Sequence, residues 1–216
     1  MSIQVEKYKQ IQEELKDKAT LVAVSKTKPA EDIQALYNLG HRDFGENYVQ
    51  ELVDKESTLP KDIHWHFIGH LQSNKVKYIA PFVHLIHGVD SLKLLKEINK
   101  EAIKNNRTID CLLQMHIAKE ETKFGLDENE LHEILTILPE LKNVHVLGLM
   151  GMASFSNDMN LVRSEFQSLK NIFNRMNISP TILSMGMSSD YTIAIEEGST
   201  MVRIGSLLFG ERNYNS

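Results

Sequence analysis

The chain has 216 residues, 42% hydrophobic and 25% charged, with a formal net charge of −5. That balance excludes the basic surface needed for non-specific nucleic-acid binding, and no stretch approaches the ~20 apolar residues of a membrane-spanning helix. Cys111 is the single cysteine, so a disulfide framework is excluded and a reducing, cytoplasmic setting is expected.

Val5, Tyr8, Ile11 and Leu15 share one helical face and predict an N-terminal helix. Short β-branched and apolar runs then recur at 21–25, 42–45, 64–68, 83–89, 109–117, 144–150, 181–185 and 201–204. Between them lie amphipathic segments. Ser91 caps a predicted helix carrying Leu92, Leu95 and Ile98, and Asp127 with Glu130 forms a capping-box pattern before Leu131, Ile134, Leu135 and Leu138. Val162, Phe166, Leu169 and Phe173 follow helical 4, 3, 4 spacing. Eight strands alternating with helices and no linker predict an α/β fold, a single (β/α)8 barrel over residues 1–216 with an extra N-terminal helix. No Gly-rich dinucleotide fingerprint follows the first strand, which disfavours an open doubly wound sheet.

In such barrels chemistry sits at the C-terminal strand ends. The first strand ends in Ser25-Lys26-Thr27, and alternation places Val22, Val24 and Lys26 on one face. If that face is inward, Lys26 is a partly desolvated amine at the barrel mouth, suited to Schiff-base formation; otherwise it is a solvated strand-end lysine. The last two strands end in small residues, Ser184-Met-Gly-Met-Ser188 and Arg203-Ile-Gly205-Ser206, where barrels of this kind bind phosphate. Ser184, Ser188 and Ser206 are candidate hydroxyl donors. Arg203 shares parity with Met201 and Gly205, so it projects inward and needs either a structural ion pair or a bound group. Glu46 reads equally as a general base or an ion-pair partner. The pair His64 and His66 lies on one strand face, with no acidic or thiol partner at a telling metal spacing. His70 is either a pocket contact or a surface histidine. Met150, Met152, Met185 and Met187 are expected to fill core or pocket space, and Cys111, in an apolar run, to be a buried structural thiol.

Six segments in order carry a family signature: LVAVSKTKP (21–29), FGENYVQEL (44–52), HWHFIGHLQSNK (64–75), GLMGM (148–152), LSMGMSSD (183–190) and GSTMVRIGSLLFG (198–210). The chain resembles the pyridoxal phosphate homeostasis protein family. That resemblance implies an alanine-racemase-like barrel of fold type III that holds pyridoxal 5′-phosphate (PLP) as a Schiff base on Lys26. It further implies Asn47 beside the cofactor, Arg203 at the pyridine nitrogen, and Ser184, Gly205 and Ser206 around the phosphate. Ser206 stands where the family often has Thr, and His116 where Asn is expected. The implied function is PLP homeostasis without efficient catalysis, in a monomer whose recipients are PLP-dependent apo-enzymes. Two alternatives are a PLP-dependent amino-acid racemase and a Schiff-base aldolase using Lys26 alone. Racemisation needs a base on each face of the substrate. The alanine racemases draw the second from an added β domain, which is not expected after the eighth unit here. Aldolases usually place the lysine on a later strand.

Overall fold

The computed structural model describes residues 3–119 and 124–210. Eight parallel strands close into a barrel in sequential order: β1 (Thr20–Val24), β2 (Asp43–Glu46), β3 (His64–Phe67), β4 (Leu85–Val89), β5 (Ile109–Gln114), β6 (Val144–Met150), β7 (Ile182–Met187) and β8 (Met201–Ile204). Closure is made by β8 lying beside β1, with Thr20 opposite Met201 and Val22 opposite Arg203. All eight predicted strands are present with small shifts of their ends. The largest shift is in the 109–117 run, where pairing in β5 stops at Gln114 and Met115 makes only an isolated bridge to Leu126.

Helix α1 (Val5–Leu15) buries Tyr8, Ile11 and Leu15. It is tied to the end of the chain by the Gln4 N–H, which donates to Leu208 O at 2.7 Å. Helices α2 (Ala30–Asn38), α3 (Val49–Thr58) and α4 (Val76–Ile79) follow the first three strands. Helix α5 (Leu92–Lys104) begins where Ser91 Oγ accepts the Leu94 N–H. The box before α6 (Glu128–Ile137) is complete: Asp127 accepts the Glu130 N–H, and Glu130 accepts the Asp127 N–H. Each such cap satisfies a donor that the first helical turn otherwise leaves unpaired. Helix α7 (Met159–Arg175) buries the predicted face of Val162, Phe166, Leu169 and Phe173. Helices α8 (Tyr191–Glu196) and α9 (Ser206–Phe209) complete the ring.

Alternation along the strands divides the core. One parity, including Phe44, Phe67, Ile86, Leu183 and Val202, packs against the helices in the larger apolar layer. The other parity points inward, where Val22, Leu85, Leu112, Met150 and Met201 form the narrow barrel centre. The rest of that interior is polar. His66, His87, Gln114, Ser184 and Arg203 are all buried, and their hydrogen bonds determine what the barrel can hold.

Candidate functional site

A cavity of about 420 Å³ opens at the C-terminal strand ends, within the size range of small-molecule sites. Lys26, Asn47, Arg203, Gly205 and Ser206 line it together. They come from the ends of β1, β2 and β8, far apart in sequence, and meet because closure brings β8 beside β1. Lys26 and Asn47 follow their strands with inward parity, continuing Val22–Val24 and Asp43–Gly45 respectively.

The segment bearing Lys26 is held from behind. Lys55 Nζ, on α3, donates to Ser25 O at 2.8 Å, to Glu46 Oε1 at 2.8 Å and to Glu51 Oε1 at 2.6 Å. The Ser25 hydroxyl donates to Glu46 Oε1 at 2.6 Å, and the Thr27 N–H to Glu51 Oε1 at 2.6 Å. The backbone on both sides of Lys26 is therefore anchored to one buried cluster of charge. Thr27 takes φ of 62°, a left-handed conformation costly for a β-branched residue, and its clamped N–H helps to hold it there. Glu46 has the parity of Phe44, faces the helix layer and does not line the cavity. The structure thus favours the ion-pair reading of Glu46 over the general base. Burial pushes its carboxyl up to about 7 against the opposing influence of Lys55.

Asn47 sits beneath Gly69, where an added Cβ would lie 2.3 Å from Asn47 O; only glycine allows that approach. Among the described residues, Asn47 Oδ1 is buried without a hydrogen-bond partner. A buried orphan acceptor is costly, and on the wall of a cavity it marks where a ligand donor belongs.

On the far wall, Gly205 N–H donates to Ser188 Oγ at 3.3 Å. Ser188, Ser189 and Ser206 all face the cavity. Ser206 opens α9, where the Leu208 and Phe209 N–H groups donate to Gly205 O at 2.9 and 3.0 Å. A cluster of serine hydroxyls at the end of the last two strands suits a phosphate.

Ser184 is the exception to the expected phosphate shell. It is fully buried, does not line the cavity and lies beneath Arg203. Ser184 lies level with Met201, inside the barrel, and a bulge follows it in β7: Met187 pairs with Arg203, so three steps on β7 span two on β8. Gly186 takes the extra step at φ of 97°, and a Cβ there would meet Ala194 Cβ at 2.6 Å. Beyond the bulge Met187, Ser188 and Ser189 face the cavity. Ser189 and Phe155 are lining residues that strand parity alone does not single out, whereas Ile68 continues the face of His64 and His66.

Ser184 serves Arg203 instead. Arg203 Nη1 donates to Ser184 O at 2.9 Å and to Ser184 Oγ at 2.5 Å, and Nη2 donates to Gly151 O at 3.1 Å. Burial pushes this guanidinium down to about 10, still charged at neutral pH. The contacts continue through the barrel. His87 Nδ1 is 3.1 Å from Ser184 Oγ, His87 Nε2 is 2.9 Å from His66 Nδ1, and His66 Nε2 is 3.0 Å from Asp43 Oδ1. Burial lowers both histidine pKa values, that of His87 strongly, so both rings are neutral. Arginine only donates and carboxylate only accepts. The direction of the chain follows: Arg203 to Ser184, Ser184 to His87, His87 Nε2–H to His66, and His66 Nε2–H to Asp43. This relay runs from the cavity to the opposite rim of the barrel. The sequence showed the inward parity of Arg203 and placed His66 on one face with His64, but not the meeting of these residues.

Other candidates fall elsewhere. His70 is exposed, 2.9 Å from Asp90 Oδ2 and stacked on Phe124. His116 is exposed, and Glu120 to Lys123 of its segment lie outside the described residues. Met150 and Met185 are buried, while Met152 and Met187 line the cavity. Cys111 is buried and its thiol is pushed up by burial.

Comparison with known proteins places this arrangement among relatives. Residues 5–213 match the family model for the alanine racemase N-terminal domain. The chain is 46% identical over 201 residues to the pyridoxal phosphate homeostasis protein of Aquifex aeolicus, covering 91% of this chain and 88% of that one. PipY of Synechococcus elongatus, solved without PLP, superposes with a TM-score of 0.91 at 34% identity, covering 95% and 99% of the two chains. The same protein solved with PLP bound gives a TM-score of 0.88. The alanine racemase of Bartonella henselae shares the fold alone, with a TM-score of 0.76 at 15% identity over 98% of this chain and 60% of that one.

Proposed function

The chain belongs to the pyridoxal phosphate homeostasis protein family, and from that premise we infer that it binds PLP in the cavity at the C-terminal strand ends, attached to Lys26 as a Schiff base. The observation that carries this reading is the meeting, in one cavity, of a lysine, an orphan buried acceptor and a phosphate-suited wall. The residues fit the group. Lys26 supplies the amine, Asn47 the polar contact beside the ring, and Gly205, Ser206 and Ser188 the phosphate contacts. Arg203 would meet the pyridine nitrogen, and a permanent donor there would leave that nitrogen unprotonated. Bound PLP supplies a reactive aldehyde that can be held and released.

The function is PLP homeostasis, keeping that aldehyde bound and available to PLP-dependent apo-enzymes. Among the described residues lining the cavity, the ionisable groups are Lys26, Lys28 and Arg203. Lys28 Nζ donates to Phe209 O at 2.8 Å. Among the described residues, no His, Tyr, Cys or carboxylate lines it. The chain is expected to act as a monomer, and among the described residues no helix is long and apolar enough to cross a membrane.

Borohydride reduction of the PLP-loaded protein, followed by peptide mapping, tests the assignment. The expected label is on Lys26; a label on Lys28 overturns it.

A further inference from the structure

At the opposite end of the barrel from the cavity, the N-terminal ends of three neighbouring strands bring together one carboxylate and three imidazoles. Asp43 opens β2, His64 and His66 lie two apart on β3, and His84 directly precedes β4. Asp43 Oδ1 is 3.1 Å from His64 Nδ1 and 3.0 Å from His66 Nε2. His84 stacks on His64 with ring centroids 4.5 Å apart and meets His66 edge-on at 5.4 Å. One ligand atom each from Asp43, His66 and His84 lies within 4.8 Å of the others. The sequence offered only the His64 and His66 pair; the acidic partner and the third imidazole come from adjacent strands.

We propose that Asp43, His66 and His84 form a binding site for a divalent transition metal of the zinc class. Two imidazole nitrogens and one carboxylate oxygen are donor types zinc takes, with a water completing the tetrahedron. Zinc–nitrogen bonds of about 2.0 Å separate tetrahedral ligand atoms by about 3.3 Å; His66 Nε2 and Asp43 Oδ1 are already 3.0 Å apart, and His84, within 4.8 Å of both, closes in on the metal. Exposed His64 and His84 leave an entry path from solvent, while buried His66 anchors the base of the site. The remaining nitrogen of His66 already faces His87 Nε2 at 2.9 Å, the orienting outer contact that metal-bound histidines use.

Occupancy carries a consequence for the relay. A metal takes the position of the His66 Nε2 proton. His66 must then hold its proton on Nδ1 and donate to His87 Nε2. His87 in turn carries its proton on Nδ1 and donates to Ser184 Oγ, whose two lone pairs accept both His87 and Arg203. The metal-bound protein therefore has the reversed histidine tautomers.

The test titrates the purified full chain with Co²⁺ alone and with Zn²⁺ alone by calorimetry, following the visible spectrum of the cobalt form. The expected result is one equivalent with the absorption of four-coordinate Co²⁺. Affinity should fall about tenfold or more in His84→Gln and in Asp43→Asn. His84 is exposed, so its variant keeps the fold. His145, which pairs with Asp110 at 3.2 Å on the same rim, is the control, and His145→Gln should bind unchanged. Absence of saturable binding overturns the site, as does affinity that His84→Gln and Asp43→Asn leave intact or that His145→Gln abolishes.

Discussion

His87 Nδ1 lies 3.1 Å from Ser184 Oγ, joining an imidazole on β4 to a hydroxyl on β7 across the barrel interior. That hydroxyl also receives Arg203, so Ser184 is a junction beneath the cavity rather than part of its wall. Removing it leaves His87 Nδ1 without its donor and Arg203 with one acceptor fewer. An unsatisfied buried polar group costs about 1–3 kcal/mol. Ser184→Ala is therefore expected to weaken PLP retention, measured as the rate of PLP release to a scavenging apo-enzyme. Unchanged release would show that Arg203 needs no support from below.

Arg203 and Ser206 are predicted to act on the cofactor directly. Arg203→Met replaces a buried charge with an apolar side chain of similar reach, a change often tolerated in stability. A charge-assisted contact contributes about 1.5–3 kcal/mol, or about tenfold or more in affinity. Equilibrium dialysis should show that loss for Arg203→Met and a smaller one for Ser206→Ala. Wild-type affinity in both variants would remove them from the site.

Lys26→Ala is expected to abolish covalent attachment while leaving the barrel intact, because a half-buried side chain at a strand end adds little to the core. Loss of the PLP visible band with an unchanged far-ultraviolet circular dichroism spectrum is the predicted outcome. A collapsed spectrum would assign Lys26 a structural role.

Glu46 gives the protein a pH dependence of known sign. Burial raises its carboxyl from the unfolded value of 4.5 to about 7. The folded state therefore binds this proton more tightly than the unfolded chain. The resulting stabilisation is fully present below pH 4.5 and is lost as pH rises through about 7. Urea unfolding of the wild type should show stability declining across that window. Glu46→Gln, which keeps the acceptor oxygen but cannot titrate, should show a shallower decline. Parallel profiles would mean that Glu46 stays ionised throughout.

The sequence by itself determined the eight strands, the helices between them and the inward parity of Val22, Val24, Lys26, Met201 and Arg203. Those features are local: a period of two along a strand and 3.6 along a helix is set by backbone geometry, and the apolar pattern chooses which face is covered. The order of the motifs also carried the family. The facing of Glu46 was available in principle, since it shares parity with Phe44, but an isolated glutamate near a lysine segment gives no hint of Lys55 on the next helix. Only the tertiary structure decided that Glu46 closes on Lys55, that Asp43, His66, His87, Ser184 and Arg203 form one chain, and that Ser188 and Ser189 replace Ser184 on the cavity wall. The reason is physical. Contacts across a barrel depend on closure and stagger, and one bulge at Gly186 shifts every later side chain of β7 by a residue. Alternation counted from the strand start cannot carry through such a shift, so it predicts the barrel and its inward lysine but not that Ser189 joins Ser188 and Ser206 at the mouth while Ser184 stays beneath it.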